Sequence, residues 1–429
     1  MTRFLAAVCV LLVAGAVLAS PSVWREATAG EPEERAGQNR EPAGQGAERK
    51  GETRSPTAKS DVGTVNIAIL LQEMAQPVAL KELDVFYTDV GVQGARLGVE
   101  DNNTTGRFTN QAFELREVTV PIGGDTVAAF KELVADGSQH IITIRLPADD
   151  ILRLADLPEA KDVMIYNASA QDDRLRNDDC RANVVHLIPS RAMLADALAQ
   201  YLVKKRWKRW FLVIGNEAED PLYAEAIRRA AKRFGGKIVE ERAWEYSTAD
   251  VRRTAQAEIP IFTQGVKHQI LIVADEVGWF GDYLIYRTWD PRPVAGTQGL
   301  MPTAWHHTHE RWGSVQMQKR FRRIAGRPMT TIDYAAWIAV RAIGEGATRT
   351  NSVEFGKIKD YMLGPEFRVA AFKGVGVSFR SWNQQLRMRI LLAEPKSVVS
   401  VSPQVGFLHP VSEMDTLGYD APETACEFE

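Results

Sequence analysis

The chain has 429 residues, 45% of them hydrophobic, with 52 basic against 55 acidic side chains, a net charge of −3 and three cysteines. That composition excludes a disulfide-dense miniprotein, a wholly disordered chain and a polytopic membrane protein. It also argues against general nucleic-acid binding, because the one basic run, Lys204-Lys205-Arg206-Trp207-Lys208-Arg209, reads as an ordinary solvated helix end.

The chain opens on Thr2-Arg3, a short apolar stretch over 4–18, and small residues at Val17 and Ala19. This is the pattern of a secretory signal peptide over 1–19, cleaved after Ala19 and too short to span a bilayer comfortably. Residues 28–60 contain no large apolar side chain, so 20–61 is expected to be a disordered polar linker. Export takes Cys9 away with the signal and leaves Cys180 and Cys426 in an oxidising compartment. A Cys180–Cys426 disulfide is expected, with two isolated buried thiols as the other reading.

The body begins with the apolar run 65–71, a buried parallel strand by composition. A helix follows with Val92, Ala95 and Val99 on one face and Gly91, Gly94 and Gly98 permitting close packing on a sheet. Next come a strand over 112–120, a helix from Asp125 to its stop at Gly137, a strand over 140–146, a helix over 148–157 and a strand over 162–168. The pattern restarts with a strand over 184–188 and a helix capped by Ser190. A strand over 210–214, a helix opened by Asp220-Pro221 and ended at Gly235, and strands over 237–243 and 269–274 around a helix near 251–263 continue it. An amphipathic helix near 333–343 and strands near 375–379 and 388–392 return to complete both halves.

Alternating strands and helices predict an α/β fold with two doubly wound parallel-sheet lobes and a ligand cleft between them. The expected division is an N-terminal lobe over 62–183, a C-terminal lobe over 184–320, and a section over 321–429 that completes both lobes and supplies a tail. Hinge closure around the ligand is the associated motion.

No phosphate-binding loop, nucleophile elbow, HExxH, CxxC or dinucleotide motif is present. The chain is therefore read as a non-enzyme with no cofactor. His306-His307-Thr308-His309-Glu310 offers imidazole and carboxylate suited to zinc or copper, so His306, His307 and His309 are candidate metal ligands, against the plainer reading of an exposed loop. Asp172-Asp173 and Asp178-Asp179, interleaved with Arg174, Arg176 and Arg181, read as a solvated loop. Trp279, Tyr283, Tyr286, Trp289, Trp305 and Trp312 follow a strand end with Asp275 and Glu276 at its mouth. They could line a cleft for a ring-containing ligand, Trp279 stacking on it, although Tyr286, Trp289 and Trp312 fit an inter-helix core better.

The ordered set Gly94-Ala95-Arg96-Leu97-Gly98-Val99-Glu100-Asp101-Asn102-Asn103, Phe113-Glu114-Leu115, Ala128 to Val134 and Ala197 to Leu202 resembles the type I periplasmic solute-binding proteins of ABC importers, of the leucine/isoleucine/valine-binding kind. The segments 173–177 with Cys180, 310–313, 333–337 and 406–410 look most like the branch associated with pyrroloquinoline-quinone-dependent alcohol dehydrogenase systems. The resemblance implies a periplasmic component that binds a small polar or aromatic ligand and docks on ABC transporter membrane subunits, without itself spanning the membrane after signal cleavage. The alternative is a metal or metal-chelate carrier for the same oxidation system.

Carried over position by position, the resemblance implies that Arg145 and Ser169, beside Asn167, hold an anionic end. Tyr223 and Glu276 would receive a donor such as an ammonium. Gln72 and Glu73 open the first loop, which lacks the small residues usual there, and 145–149 lacks the usual hydroxyl. These departures point away from branched-chain amino acids. They leave an alcohol-derived acid, a cofactor-like molecule or a metal chelate as candidates.

Overall fold

Residues 62–75, 85–245 and 251–428 are described by the computed structural model, with the backbone alone over 251–256. The expected signal peptide and linker lie outside the described residues, as do Gln76 and Pro77 of the first loop.

β1 (Gly63–Gln72) is central because it is apolar on both faces: Val65, Ile67, Ile69 and Leu71 enter one core cluster while Ala68 and Leu70 enter another. After α1 (Val92–Thr109) comes β2 (Gln111–Val120), and after α2 (Thr126–Ala135), capped by Asp125, comes β3 (His140–Ile144). α3 (Ala148–Ala155) leads to β4 (Met164–Asn167), and a loop leads to β5 (Val184–His186). All pairs are parallel, in the order β2-β1-β3-β4-β5. The strand expected to open the second lobe thus closes the first sheet, because β5 pairs with β4 directly.

α4 (Arg191–Lys204), capped by Ser190, carries the chain to a second parallel sheet. Here β6 (Arg209–Ile214), α5 (Asp220–Phe234), β7 (Lys237–Ala243), α6 (Val251–Phe262), β8 (Ile270–Ala274), α7 (Gly281–Leu284) and β9 (Val294–Gly296) give the order β7-β6-β8-β9. β6 repeats the two-sided pattern, with Trp210, Leu212 and Ile214 facing α4 and α5 while Phe211 and Val213 join Leu284 of α7. β10 (Met301–Thr303) follows.

The last third alternates between the halves. α8 (Ser314–Ala325), α9 (Thr331–Thr350) and α10 (Phe355–Leu363) return to the first lobe, with a small antiparallel sheet of β11 (Val369–Ala370), β12 (Gly376–Phe379) and β13 (Leu386–Arg387) beside β5. β14 (Ile390–Glu394) pairs with β10, and β15 (Ser397–Ser402) pairs with β14, against α4. Finally, the tail joins the lobes. Asp196 of α4 accepts hydrogen bonds from Arg229, Arg233 and the Gly418 amide. Beyond it, Cys426 is disulfide-bonded to Cys180, as expected from the sequence, with Cα atoms 5.6 Å apart.

Gly94 and Gly98 of α1 do not face the sheet. They face α9, because the inner surface of β1 needs a second helix and that helix is supplied from the last third of the chain, whereas Gly91 at the N-cap does lie against the sheet, where a Cβ would meet Ile144 of β3. A Cβ on Gly94 would overlap the Asp333 carbonyl, and one on Gly98 would lie 2.8 Å from the Val340 Cβ. One turn on, buried Asn102 donates to the Val340 carbonyl at 2.7 Å, and the Gly91 amide donates to the Asp333 carboxylate at 2.7 Å.

Replacing a mid-helix glycine by alanine normally stabilises by up to about 1 kcal/mol. Gly94→Ala is expected to reverse that sign and lose on the order of 1–3 kcal/mol, because the new methyl meets backbone that cannot yield. Gly356→Ala in α10, where nothing stands within 4 Å of the new atom, is expected to be neutral or stabilising. Denaturant unfolding of both variants checks the contrast; equal effects would rule out the close helix crossing.

Candidate functional site

The carboxyl ends of both sheets deliver loops to one region. From the first lobe, Asn167 ends β4 and is fully buried. Its amide donates to the Ala170 carbonyl at 2.8 Å, and its oxygen accepts from the Ser169 and Ala170 amides. Asn167 therefore shapes the loop and has no free amide group to offer a ligand, contrary to the sequence-based expectation. Ser169 accepts from the Arg145 amide at 2.8 Å, which brings the two residues expected at the anionic end together. Arg145 takes φ 59°, a left-handed conformation that a non-glycine keeps only where its surroundings hold it. Its guanidinium donates to the Tyr87 carbonyl at 2.6 Å and lies 5.2 Å over the Phe86 ring. Among the described residues no carboxylate is ion-paired with it. Arg145 and Glu73 line a first-lobe recess of about 560 Å³. Gln72, half-buried, ends β1 just before it, with its side-chain oxygen buried and without a hydrogen-bond partner.

From Ser169 the chain runs two residues to Gln171, which lines a cavity of about 260 Å³ together with Tyr223, Glu276, Thr297, Thr303 and His306. These come from the loop after β4, the first turn of α5, the ends of β8 and β9, and β10, so the cavity draws on both sheets. Asp220, the first helical residue of α5 rather than its N-cap, accepts from the Glu276 amide at 2.7 Å. Burial and the neighbouring Asp275 and Glu276 push its carboxyl up to about 6. Asp275 accepts from the amides of Gly278, Trp279, Phe280 and Gly281. That carboxylate turns the chain sharply and sets the position of Glu276.

Tyr223 is 2% exposed, and its hydroxyl has no hydrogen-bond partner. A buried hydroxyl without a partner costs stability unless something supplies one. Glu276 is not free: both its oxygens accept from Arg191, at 2.6 and 2.8 Å, and Arg191 stands 3.4 Å from Asp172 on its other side. Burial raises the Glu276 carboxyl and Arg191 opposes the shift.

Other expected site residues fall elsewhere. Trp279 packs in the outer core of the second lobe with Trp244, Phe280 and Leu284, on the face away from α4, because the Asp275 turn directs it inward. It does not line the cavity. Tyr286 and Trp289, expected in a core, are 99% and 60% exposed. The three imidazoles do not converge. His306 bonds Thr308 through Nδ1, His309 turns inward to the Phe372 carbonyl and the Trp305 ring, and His307 is exposed. Among the described residues no group of three histidine, cysteine or acidic side chains could hold a metal ion. The acidic loop is no solvated strand of charges either. Asp173 accepts from the Ala192 amide at the start of α4, and buried Arg176 donates to the carbonyls of Ala170, Asp172 and Ile188.

Arg191, Gln171 and the threonines after β9 escaped the sequence reading. Arg191 follows a visible N-cap, but nothing in the sequence pairs it with a carboxylate 85 residues away.

A family model described as "Periplasmic binding protein" matches residues 89–258. No curated protein matches the chain. Among solved structures, a branched-chain amino acid ABC transporter periplasmic ligand-binding protein from Burkholderia xenovorans is similar at 16% identity, over 79% of this chain and 95% of that one, with a TM-score of 0.63. A leucine-, isoleucine-, valine-, threonine- and alanine-binding protein from Brucella ovis, in a closed conformation, is similar at 15% identity over 85% and 99%, with a TM-score of 0.61. A periplasmic binding protein from Burkholderia mallei gives 17% identity over 85% and 98%, with a TM-score of 0.60. The fold is that of type I periplasmic binding proteins.

Because the Tyr223 hydroxyl makes no hydrogen bond within the protein, Tyr223→Phe is expected to leave ligand-free stability within about 0.5 kcal/mol of wild type or to raise it. Thermal melts of ligand-free protein test this; a loss of 1–2 kcal/mol, the size expected when a made hydrogen bond is broken, would show that the hydroxyl is already satisfied.

Proposed function

We propose that the protein is an exported solute-binding protein that closes an interlobe cleft on a small molecule and presents it to the membrane subunits of an ABC transporter. The observation that carries this reading is the cavity between the two sets of strand ends, with the buried, unpartnered Tyr223 hydroxyl in its wall. Ligands of open α/β sheets bind outside the carboxyl ends of the strands, and a cavity shared between lobes is where closure excludes water. The family match over 89–258 supports the reading, and so do the expected signal peptide and polar linker, which suit delivery to the periplasm.

Arg145 and Ser169 would hold the anionic end of the ligand from the first lobe, with Gln72 and Glu73 at the rim, and Tyr223 would meet its other end. The connection to pyrroloquinoline-quinone-dependent alcohol oxidation is supported by the sequence resemblance, and the geometry adds nothing to it. No observation favours the metal-carrier alternative.

The test is mass spectrometry of small molecules released on denaturing gently purified protein, followed by titration of each back into stripped protein. The expected result is a specific molecule that raises the melting temperature and binds about 3- to 10-fold more weakly to Tyr223→Phe, the loss of one hydrogen bond. If neither the released molecules nor fractionated periplasmic extract shift the melting of stripped protein, the solute-binding reading fails.

A further inference from the structure

We propose that the cleft selects an oxygen-bearing acid without an ammonium group, such as a 2-hydroxy, 2-keto or hydroxylated aromatic carboxylate, and discriminates against α-amino acids; this rests on the solute-binding reading above. The acidic residue lining the cavity is Glu276, and Arg191 already grips both of its oxygens. Arg191 is itself 4% exposed and anchored in the first turn of α4. An ammonium brought to Glu276 would have to displace Arg191 from an oxygen it already holds, and would add a positive charge within reach of a guanidinium that Glu276 and Asp172 share. Pulling a buried guanidinium off a carboxylate it grips is strongly unfavourable.

The remaining polar groups of the wall ask for an oxygen. Burial raises the Tyr223 phenol, so the hydroxyl stays protonated and has a hydrogen to give. His306 accepts the Thr308 amide at Nδ1, which places its proton on Nε2 as a second donor. Burial and His307 hold that imidazole down to about 4, so it is neutral at pH 7. Thr297 and Thr303 are committed elsewhere: Thr297 donates to the Gln298 side chain at 2.6 Å, and Thr303 donates to the Trp305 carbonyl at 3.0 Å. Two neutral donors beside a carboxylate whose oxygens Arg191 already holds suit a hydroxyl, keto or carboxylate oxygen. At the first-lobe end, the Arg145 guanidinium donates to neutral carbonyls and, among the described residues, is ion-paired with no carboxylate, which leaves it able to meet the acid group, although Glu73 and Asp89 line the same recess.

Matched pairs on stripped wild-type protein test the selection by melting shift and calorimetry. The pairs are L-leucine with 2-hydroxy-4-methylpentanoate, L-phenylalanine with 3-phenyllactate, and 4-aminomethylbenzoate with 4-hydroxybenzoate, and a third arm is fractionated periplasmic extract. The expected result is that an oxygen acid binds while its ammonium counterpart binds roughly 100-fold more weakly or not at all. The Tyr223→Phe variant should narrow the gap by weakening the oxygen acid alone. An ammonium member that binds as tightly as its partner overturns the selection. So does an extract in which the active component is an amine, a sugar or another non-acid, although the solute-binding reading then stands. Silence in all three arms overturns both.

Discussion

The crossing of α1 and α9 is the constraint from which the architecture follows. The inner face of β1 presents Val65, Ile67, Ile69 and Leu71, and a sheet buried on both faces needs helices on both. α1 covers part of that face, and the rest is covered by α9, from the last third of the chain. The two can share it only because Gly94 and Gly98 lack side chains where Asp333, Trp337 and Val340 press in, and because Asn102 satisfies a carbonyl of α9. The first lobe is therefore incomplete until the last third has been made. The chain must leave it at β5, return through α8 and α9, and leave again at β14. Several connections between the lobes are a consequence of one helix being supplied late.

The tail extends the same logic through electrostatics. Asp196 and Asp415 are fully buried carboxylates, each facing two arginines: Arg229 and Arg233 for one, Arg380 and Arg387 for the other. Replacing such a pair with apolar residues need not weaken a protein, but removing one member leaves a buried charge alone. These pairs therefore act as registration points more than as a source of stability. The Asp196 cluster fixes Gly418 against α4 and α5, the Asp415 cluster fixes the same segment against the β12–β13 hairpin, and the Cys180–Cys426 bond then carries the end of the chain to the first lobe. In the sequence, arginines and aspartates spaced this way resemble solvated surface, and nothing local distinguishes Arg176 or Arg380 from Arg322.

Legibility followed the range of the interaction. The strands β1, β3, β6 and β8 could be read because each is an apolar run whose burial depends on its own residues, and the caps at Asp125 and Ser190 because a cap acts over three residues. The strands β9, β10 and β15 could not: they are three to six residues long, include Gly296, Pro302 and serines, and exist only because a neighbour pairs with them. The glycine spacing in α1 was visible, but the identity of the surface it approaches was not, since sheet and helix ask equally for a small residue. At the site, Arg145 with Ser169, and Tyr223 with Glu276, could be read as neighbourhoods. That Asn167 spends its amide on its own loop, that Trp279 turns into the core, and that Arg191 reaches Glu276 depend on backbone directions no spacing encodes.

Arg191 also couples chemistry to geometry. It sits in the first turn of α4, the segment by which the chain passes from one lobe to the other. It touches Asp172 from the loop after β4 of the first lobe and Glu276 from the end of β8 in the second. A rotation of the lobes about that segment cannot preserve both contacts, because the two carboxylates move apart while the guanidinium stays on a rigid helix. The charge balance of the cavity is thus set by the angle between the lobes. In the arrangement described, Glu276 has both hydrogen bonds and Asp172 has the looser contact at 3.4 Å. Neutralising Glu276 is then a property of this lobe arrangement as much as of the residue, and the neutral donors Tyr223 and His306 define the wall only while it holds.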